Sequence, residues 1–183
     1  DIRDFTAISE QMTPRENFDF LNSYLGRVTP FIHQRNGFVD KYIGDGVMAL
    51  FPRNADDALQ AAIEMNRETA VYNEYCQIRG NAPIKIGIGI HTGDLIMGIL
   101  GNAQRMQGTV ISDAVNMAAR LEGLTKLYDV SIIISEDILQ DLADSSQYHT
   151  RFLDQVRVSG KKKPITVYEV FDNDLPEIIE CKL

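Results

Sequence analysis

Gly37-Phe38-Val39-Asp40-Lys41-Tyr42-Ile43-Gly44-Asp45-Gly46-Val47-Met48-Ala49-Leu50-Phe51 sets one carboxylate between glycines, amid two apolar, β-rich runs. The pattern predicts a hairpin with Asp45 at its tip. Flanking glycines admit positive φ and close approach by another group, so the Asp45 side chain is able to face a ligand instead of closing the turn. Gly-Asp-Gly is also common turn chemistry, and spacing alone leaves both readings standing.

Upstream, between residues 13 and 36, the pattern is helical. Thr13 with Glu16 forms a capping box, Pro14 suits the first turn, and Leu21, Leu25, Val28 and Ile32 share one face. Pro30 is expected to kink this helix late. Downstream, Asn54 caps a second helix with Asp56 and Asp57 in its first turn, running to about Gly80. Ile84, Ile86, Ile88 and Ile90 then alternate with Lys85, Gly87, Gly89 and His91, the clearest strand of the chain. Its second face is nearly bare, which permits close approach of another backbone or a ligand. The glycine spacing is not the dinucleotide fingerprint and no helix is expected next, so a dinucleotide-binding fold is rejected.

Residues 101–108 read as a polar loop carrying Arg105, and 113–122 as a short helix ending near Gly123. A strand over 130–134, a small helix capped by Ser135 and a hairpin over 152–158 and 165–171 complete a domain spanning 1–171. Residues 172–183 read as a polar tail. Helices over a mostly antiparallel sheet give an α+β architecture.

At 183 residues with 44% hydrophobic side chains, one ordinary domain with a real core is expected. Cys76 and Cys181 are too few for a disulfide framework, and a reducing, cytoplasmic setting is the default. No apolar run approaches the ~18 residues of a membrane span, so no membrane contact by this segment is expected, with a tether outside it left open. Eighteen basic against 26 acidic residues give a net charge of -8, which argues against a nucleic-acid binder.

Three motifs in order carry a resemblance. The stretch around Asp45 resembles the second metal-binding motif of the class III nucleotidyl cyclases, the adenylate and guanylate cyclase catalytic domains. Asp1-Ile2-Arg3-Asp4-Phe5-Thr6 is similar to the first, and Thr109-Val110-Ile111-Ser112-Asp113-Ala114-Val115-Asn116-Met117-Ala118-Ala119-Arg120-Leu121-Glu122 to a third. The resemblance implies a ferredoxin-like βαββαβ core. The family places an apolar strand just before the first aspartate, so the N-terminal strand is expected to be trimmed.

The resemblance also implies a reaction. In it the ribose 3′-hydroxyl of ATP attacks the α-phosphorus and pyrophosphate leaves, giving 3′,5′-cyclic AMP. Two Mg2+ or Mn2+ ions about 3.5–4 Å apart suit such chemistry, with Ca2+ admissible at one position. Asp1 and Asp45 are expected to bridge both, with the Ile2 carbonyl adding a ligand. Asn116 and Arg120, four apart on one helical face, take the roles of orienting the ribose and meeting charge on the α-phosphate. Lys161 matches the lysine that holds the terminal phosphates, and Arg105 is a second candidate for phosphate.

Adenine offers an acceptor at N1 and a donor at N6, whereas guanine reverses that polarity. Lys41 is donor-only and Thr109 can accept, a pair that favours ATP over GTP. Guanylate cyclase is the same-chemistry alternative, and a catalytically silent homologue the regulatory one. Thr109 in place of the more common aspartate resembles a subclass that includes bicarbonate-responsive cyclases, which raises bicarbonate as a regulator. Ser112 departs from the family's usual glycine. A head-to-tail homodimer with two composite sites is implied, each taking Asp1 and Asp45 from one chain and Lys41, Thr109, Asn116 and Arg120 from the other. With a net negative chain, a polyanionic substrate must be held by local cations and metal rather than by long-range steering.

Overall fold

The computed structural model describes residues 1–78, 82–102, 105–157 and 164–183, with 99–102, 105–109 and 111 described as backbone only. Ile2 forms an antiparallel bridge with Ile86, flanked by Arg3 N to Lys85 O at 2.8 Å and Gly87 N to Asp1 O at 2.9 Å. After the short helix α1 (Phe5–Ser9) comes α2 (Pro14–Gln34). Its start is the expected capping box: Glu16 N donates to Thr13 Oγ1, and Thr13 N to the Glu16 carboxylate at 2.8 Å. The helix continues through Pro30 to Gln34. Four residues before Pro30 stands Gly26, in open surroundings, which gives the backbone room to yield to the proline ring.

Strands β1 (Phe38–Ile43) and β2 (Gly46–Leu50) form the expected hairpin, closed by Gly44 at φ 64° and Asp45. Asn54 Oδ1 accepts from Asp57 N at 2.7 Å and caps α3 (Ala55–Ile78). Helices α2 and α3 pack together, tied by Arg27–Glu68 at 3.0 Å and by Arg35–Glu64.

Strand β3 (Ile88–Ile90) leads into β4 (Ile96–Asn102) and β5 (Arg105–Ile111), an antiparallel pair. This corrects the loop expected over 101–108: its described residues belong to two strands, Asn102 closing β4 and Arg105 opening β5 opposite it. The next helix, α4 (Asp113–Tyr128), also runs longer than expected, passing Gly123 to a left-handed cap at Asp129. Leu121 and Thr125, both fully buried, bracket that glycine and hold it in the helix. Ser112 is the N-cap, accepting from Ala114 N at 2.9 Å and donating to Asp94 O at 2.6 Å. Its hydroxyl fixes the start of the helix where the family has glycine.

The bare face of β3 receives α4. A Cβ at Gly89 would overlap the Glu122 backbone and the Ala118 carbonyl, and one at Gly87 would strike Thr125. Gly89 thus admits the α4 backbone, and Gly87 makes room for α4 side chains. Behind α4, the wholly buried β6 (Ile132–Ser135) runs parallel to β3. Ser135 caps α5 (Glu136–Asp141), and β7 (Thr150–Val156) pairs with β8 (Ile165–Val170). The sheet order is β3-β6-β8-β7, with antiparallel pairing except between β3 and β6. A last helix, α6 (Pro176–Lys182), is pinned by Lys182 to the buried Glu169 and to Asp174, both at 2.5 Å. Mostly antiparallel sheets under helices make the α+β fold expected from the sequence, with Ile2, α2, β1, β2, α3 and β3 in βαββαβ order. No helix among the described residues is long and apolar enough to cross a membrane.

Candidate active site

The seam between Ile2 and the β1–β2 hairpin gathers the two motif carboxylates. Gly87 grips the Asp1 backbone from both sides, accepting from its nitrogen at 3.0 Å and donating to its carbonyl at 2.9 Å. Ile2 then turns its N–H to the hairpin and donates to Asp45 Oδ2 at 2.9 Å. In an extended residue the carbonyl points the same way as the N–H, so the Ile2 oxygen also faces the hairpin. The Ile2 side chain is 1% exposed, packed with Tyr24, Val28, Tyr72 and Ile86, which fixes its main chain. Gly46 completes the seam. A Cβ there would lie 3.0 Å from Asp1 Oδ2, so the glycine spares the Asp1 carboxylate a tight contact next to Asp45.

Among the described residues no group of three or more His, Cys, Asp or Glu side chains gathers. The donor set is two carboxylates plus a main-chain oxygen, all hard. Mg2+ in phosphate chemistry is held in this way, by one or two carboxylates with substrate oxygens and water filling the remainder. The residues present fit a divalent ion of that kind.

Asn116 and Arg120 stand on the exposed side of α4, whose other side buries Met117, Leu121 and Thr125. Helical spacing thus aligns the amide and the guanidinium as expected. Lys41 is half-buried on β1, opposite Met48. Thr109 pairs with Gly98 across the β4–β5 ladder, where, as for Arg105, the main chain is described. Lys161 lies outside the described residues. The structure brings Asp1, Ile2 and Asp45 together, and separately aligns Asn116 with Arg120.

Two of the histidines contact side chains of the scaffold. His91 is buried at the end of β3 with Nδ1 2.8 Å from Ser135 Oγ, and His149 meets Asp172 at 3.1 Å. Gly46 and Gly87, read from the sequence only as permitting close approach, here contact Asp1 directly. Their signal was the small residue itself, at the tip of the hairpin and on the bare strand face.

Residues 1–170 match the Adenylate and Guanylate cyclase catalytic domain family. An adenylate cyclase of Anabaena cylindrica is 44% identical over 176 residues, covering 93% of this chain and 35% of the relative. The chain thus spans about a third of that curated relative's length. Among solved structures, the adenylyl cyclase CyaB from P. aeruginosa superposes with a TM-score of 0.80 at 29% identity, covering 95% of this chain and 91% of that one. The guanylyl cyclase Cya2 does so with a TM-score of 0.78 at 31% identity, covering 93% and 87%.

Proposed function

We propose that this chain, which belongs to the adenylate and guanylate cyclase catalytic domain family, converts ATP to 3′,5′-cyclic AMP and pyrophosphate. The observation that carries the reading is the Ile2 N–H bond to Asp45 Oδ2, which sets both motif carboxylates and the Ile2 oxygen at one seam. Class III cyclases use divalent metal ions, and Asp1, Asp45 and the Ile2 carbonyl are the groups that would hold them here. Two Mg2+ or Mn2+ ions, when bound, supply acidification of the ribose hydroxyl and neutralisation of the phosphates.

The residues of the chain bind and orient. Lys41 donates to adenine N1 and Thr109 accepts from the N6 amine, a polarity that guanine would oppose. Asn116 orients the ribose so that O3′ approaches the α-phosphorus in line with the leaving oxygen. As the O3′–P bond forms and the bond to pyrophosphate breaks, charge grows on the α-phosphate, and Arg120 meets it. Lys161 holds the terminal phosphates, and Arg105 is a second candidate for a phosphate contact.

The family's cyclase domains bind a nucleotide and are found as dimers. For this chain a homodimer with two composite sites is supported by exposed apolar side chains: Tyr42 and Ile43 at the hairpin, and Leu95, Ile96 and Met97 at β4. A catalytically silent homologue is expected to lack a carboxylate or the amide–guanidinium pair, and all four residues are present. Product analysis after incubating the purified chain with ATP, and separately with GTP, in Mn2+ tests the reading. Cyclic AMP as the dominant product is the expected result. Dominant cyclic GMP would transfer it to guanylate cyclase, and no product from either would end it.

A further inference from the structure

Strand β1 does not alternate evenly. Val39 faces Ala49 and Lys41 faces Met48, which leaves Asp40 as an extra residue in a bulge. Regular alternation would point Asp40 and Lys41 to opposite faces, and a bulge re-aims side chains. Here Asp40 Oδ2 comes to 3.2 Å from Lys41 Nζ, with the two side chains 11% and 34% exposed. Oδ2 is shut off from solvent and accepts no hydrogen bond from the described residues, the ammonium lying within ion-pair range but off a hydrogen-bonding direction. A carboxylate with one oxygen so buried depends on the adjacent cation.

We propose that Asp40 is a positioning residue for base recognition, its carboxylate, with Oδ2 shut off from solvent, holding the Lys41 ammonium in place and so favouring ATP. The inference rests on Lys41 being the donor to adenine N1. It carries a second consequence. Exchanging Lys41 for an acid sets two carboxylates where an ion pair stood, so base preference cannot be switched at Lys41 while Asp40 keeps its charge.

The test compares five proteins: wild type, Lys41→Ala, Asp40→Asn, Lys41→Glu/Thr109→Cys, and that pair with Asp40→Asn added. Turnover with ATP and with GTP in Mn2+ is measured beside thermal melting. Asp40→Asn should raise KM for ATP about tenfold, with kcat changing less. Lys41→Glu/Thr109→Cys should melt below wild type, and adding Asp40→Asn should restore the melting temperature and raise GTP turnover about tenfold. If Lys41→Ala raises KM for ATP while Asp40→Asn does not, the role of Asp40 falls alone. It also falls if Asp40→Asn restores neither melting nor GTP use in the acid variant. If Lys41→Ala leaves KM for ATP unchanged, the reading of Lys41 and this inference fall together.

Discussion

Ile2 N donates to Asp45 Oδ2 across 2.9 Å, so the main chain of the first motif is a hydrogen-bond partner of the side chain of the second. Two stretches 43 residues apart are thereby locked at the point where the proposed metal site would use both carboxylates. Asp45 accepts this bond and, in the proposed site, would also supply charge, and substitution can remove one without the other.

Asp45→Asn keeps an acceptor for the Ile2 N–H and removes the charge. Cyclic AMP formation should fall by about a hundredfold or more while the melting temperature stays near wild type. Asp45→Ala should be equally inactive and also less stable by about 1–2 kcal/mol, because the Ile2 N–H loses its partner. Parallel melts and cyclic AMP assays check both. Near-full activity in Asp45→Asn would remove this carboxylate from metal binding.

Mixing two inactive variants tests the composite sites. Asp45→Asn carries its lesion in the carboxylate part and Arg120→Ala in the helix part, so a mixed dimer has one site lacking both and one intact. At equal mixing about half the dimers are mixed, and about a quarter of wild-type activity should return. A mixture as inactive as its parents, with mixed dimers demonstrated, would place Asp45 and Arg120 in one site from one chain.

Gly89→Ala should act on catalysis from inside the fold. Its Cβ would overlap the Glu122 backbone and the Ala118 carbonyl, pushing α4 off β3 together with Asn116 and Arg120. A loss of about 3 kcal/mol in urea unfolding and a fall in kcat greater than any change in KM are expected. Gly98, with nothing within 4 Å of its Cβ position, is the control: Gly98→Ala should not reproduce the loss.

The hold of α6 on the sheet should depend on pH. Burial disfavours the Lys182 charge, but its hydrogen bonds to Asp174 and Glu169 outweigh that and raise its pKa above the ordinary 10.5. A raised value means a contribution fully present below the unfolded pKa and lost as pH rises through the folded one. Lys182→Met should therefore cost about 1–2 kcal/mol near neutral pH, and the gap to wild type should close above roughly pH 10.5. Melting across that range reads the difference.

Local chemistry was the legible part of this chain. Thr13 with Glu16, Asn54, Ser135 and the Gly44-Asp45 turn are decided by neighbours within a few residues, and each stands where the sequence puts it. Strand β4 was harder to read because it pairs with β5 in a separate two-stranded sheet and leaves Ile96 and Met97 exposed. With two successive apolar residues exposed, no alternation of apolar and polar residues is imposed there. The length of α4 was hidden for the opposite reason: burial around Leu121 and Thr125 overrides the poor helical preference of Gly123. The Asp40 bulge is a property of two strands in register, and one strand's sequence does not contain it.

Gly87 touches both halves of the proposed site. Along its edge it holds the Asp1 backbone by two hydrogen bonds, and on its face the missing side chain leaves room for Thr125 of α4. In a dimer with composite sites, Asp1 and α4 of one chain serve different nucleotides, so this residue is common to both. A shift of α4 on engaging one triphosphate would reach the aspartate of the other site through a single peptide unit. The two turnovers of such a dimer would then be conversing events rather than independent ones, with the glycine as the point of contact between them.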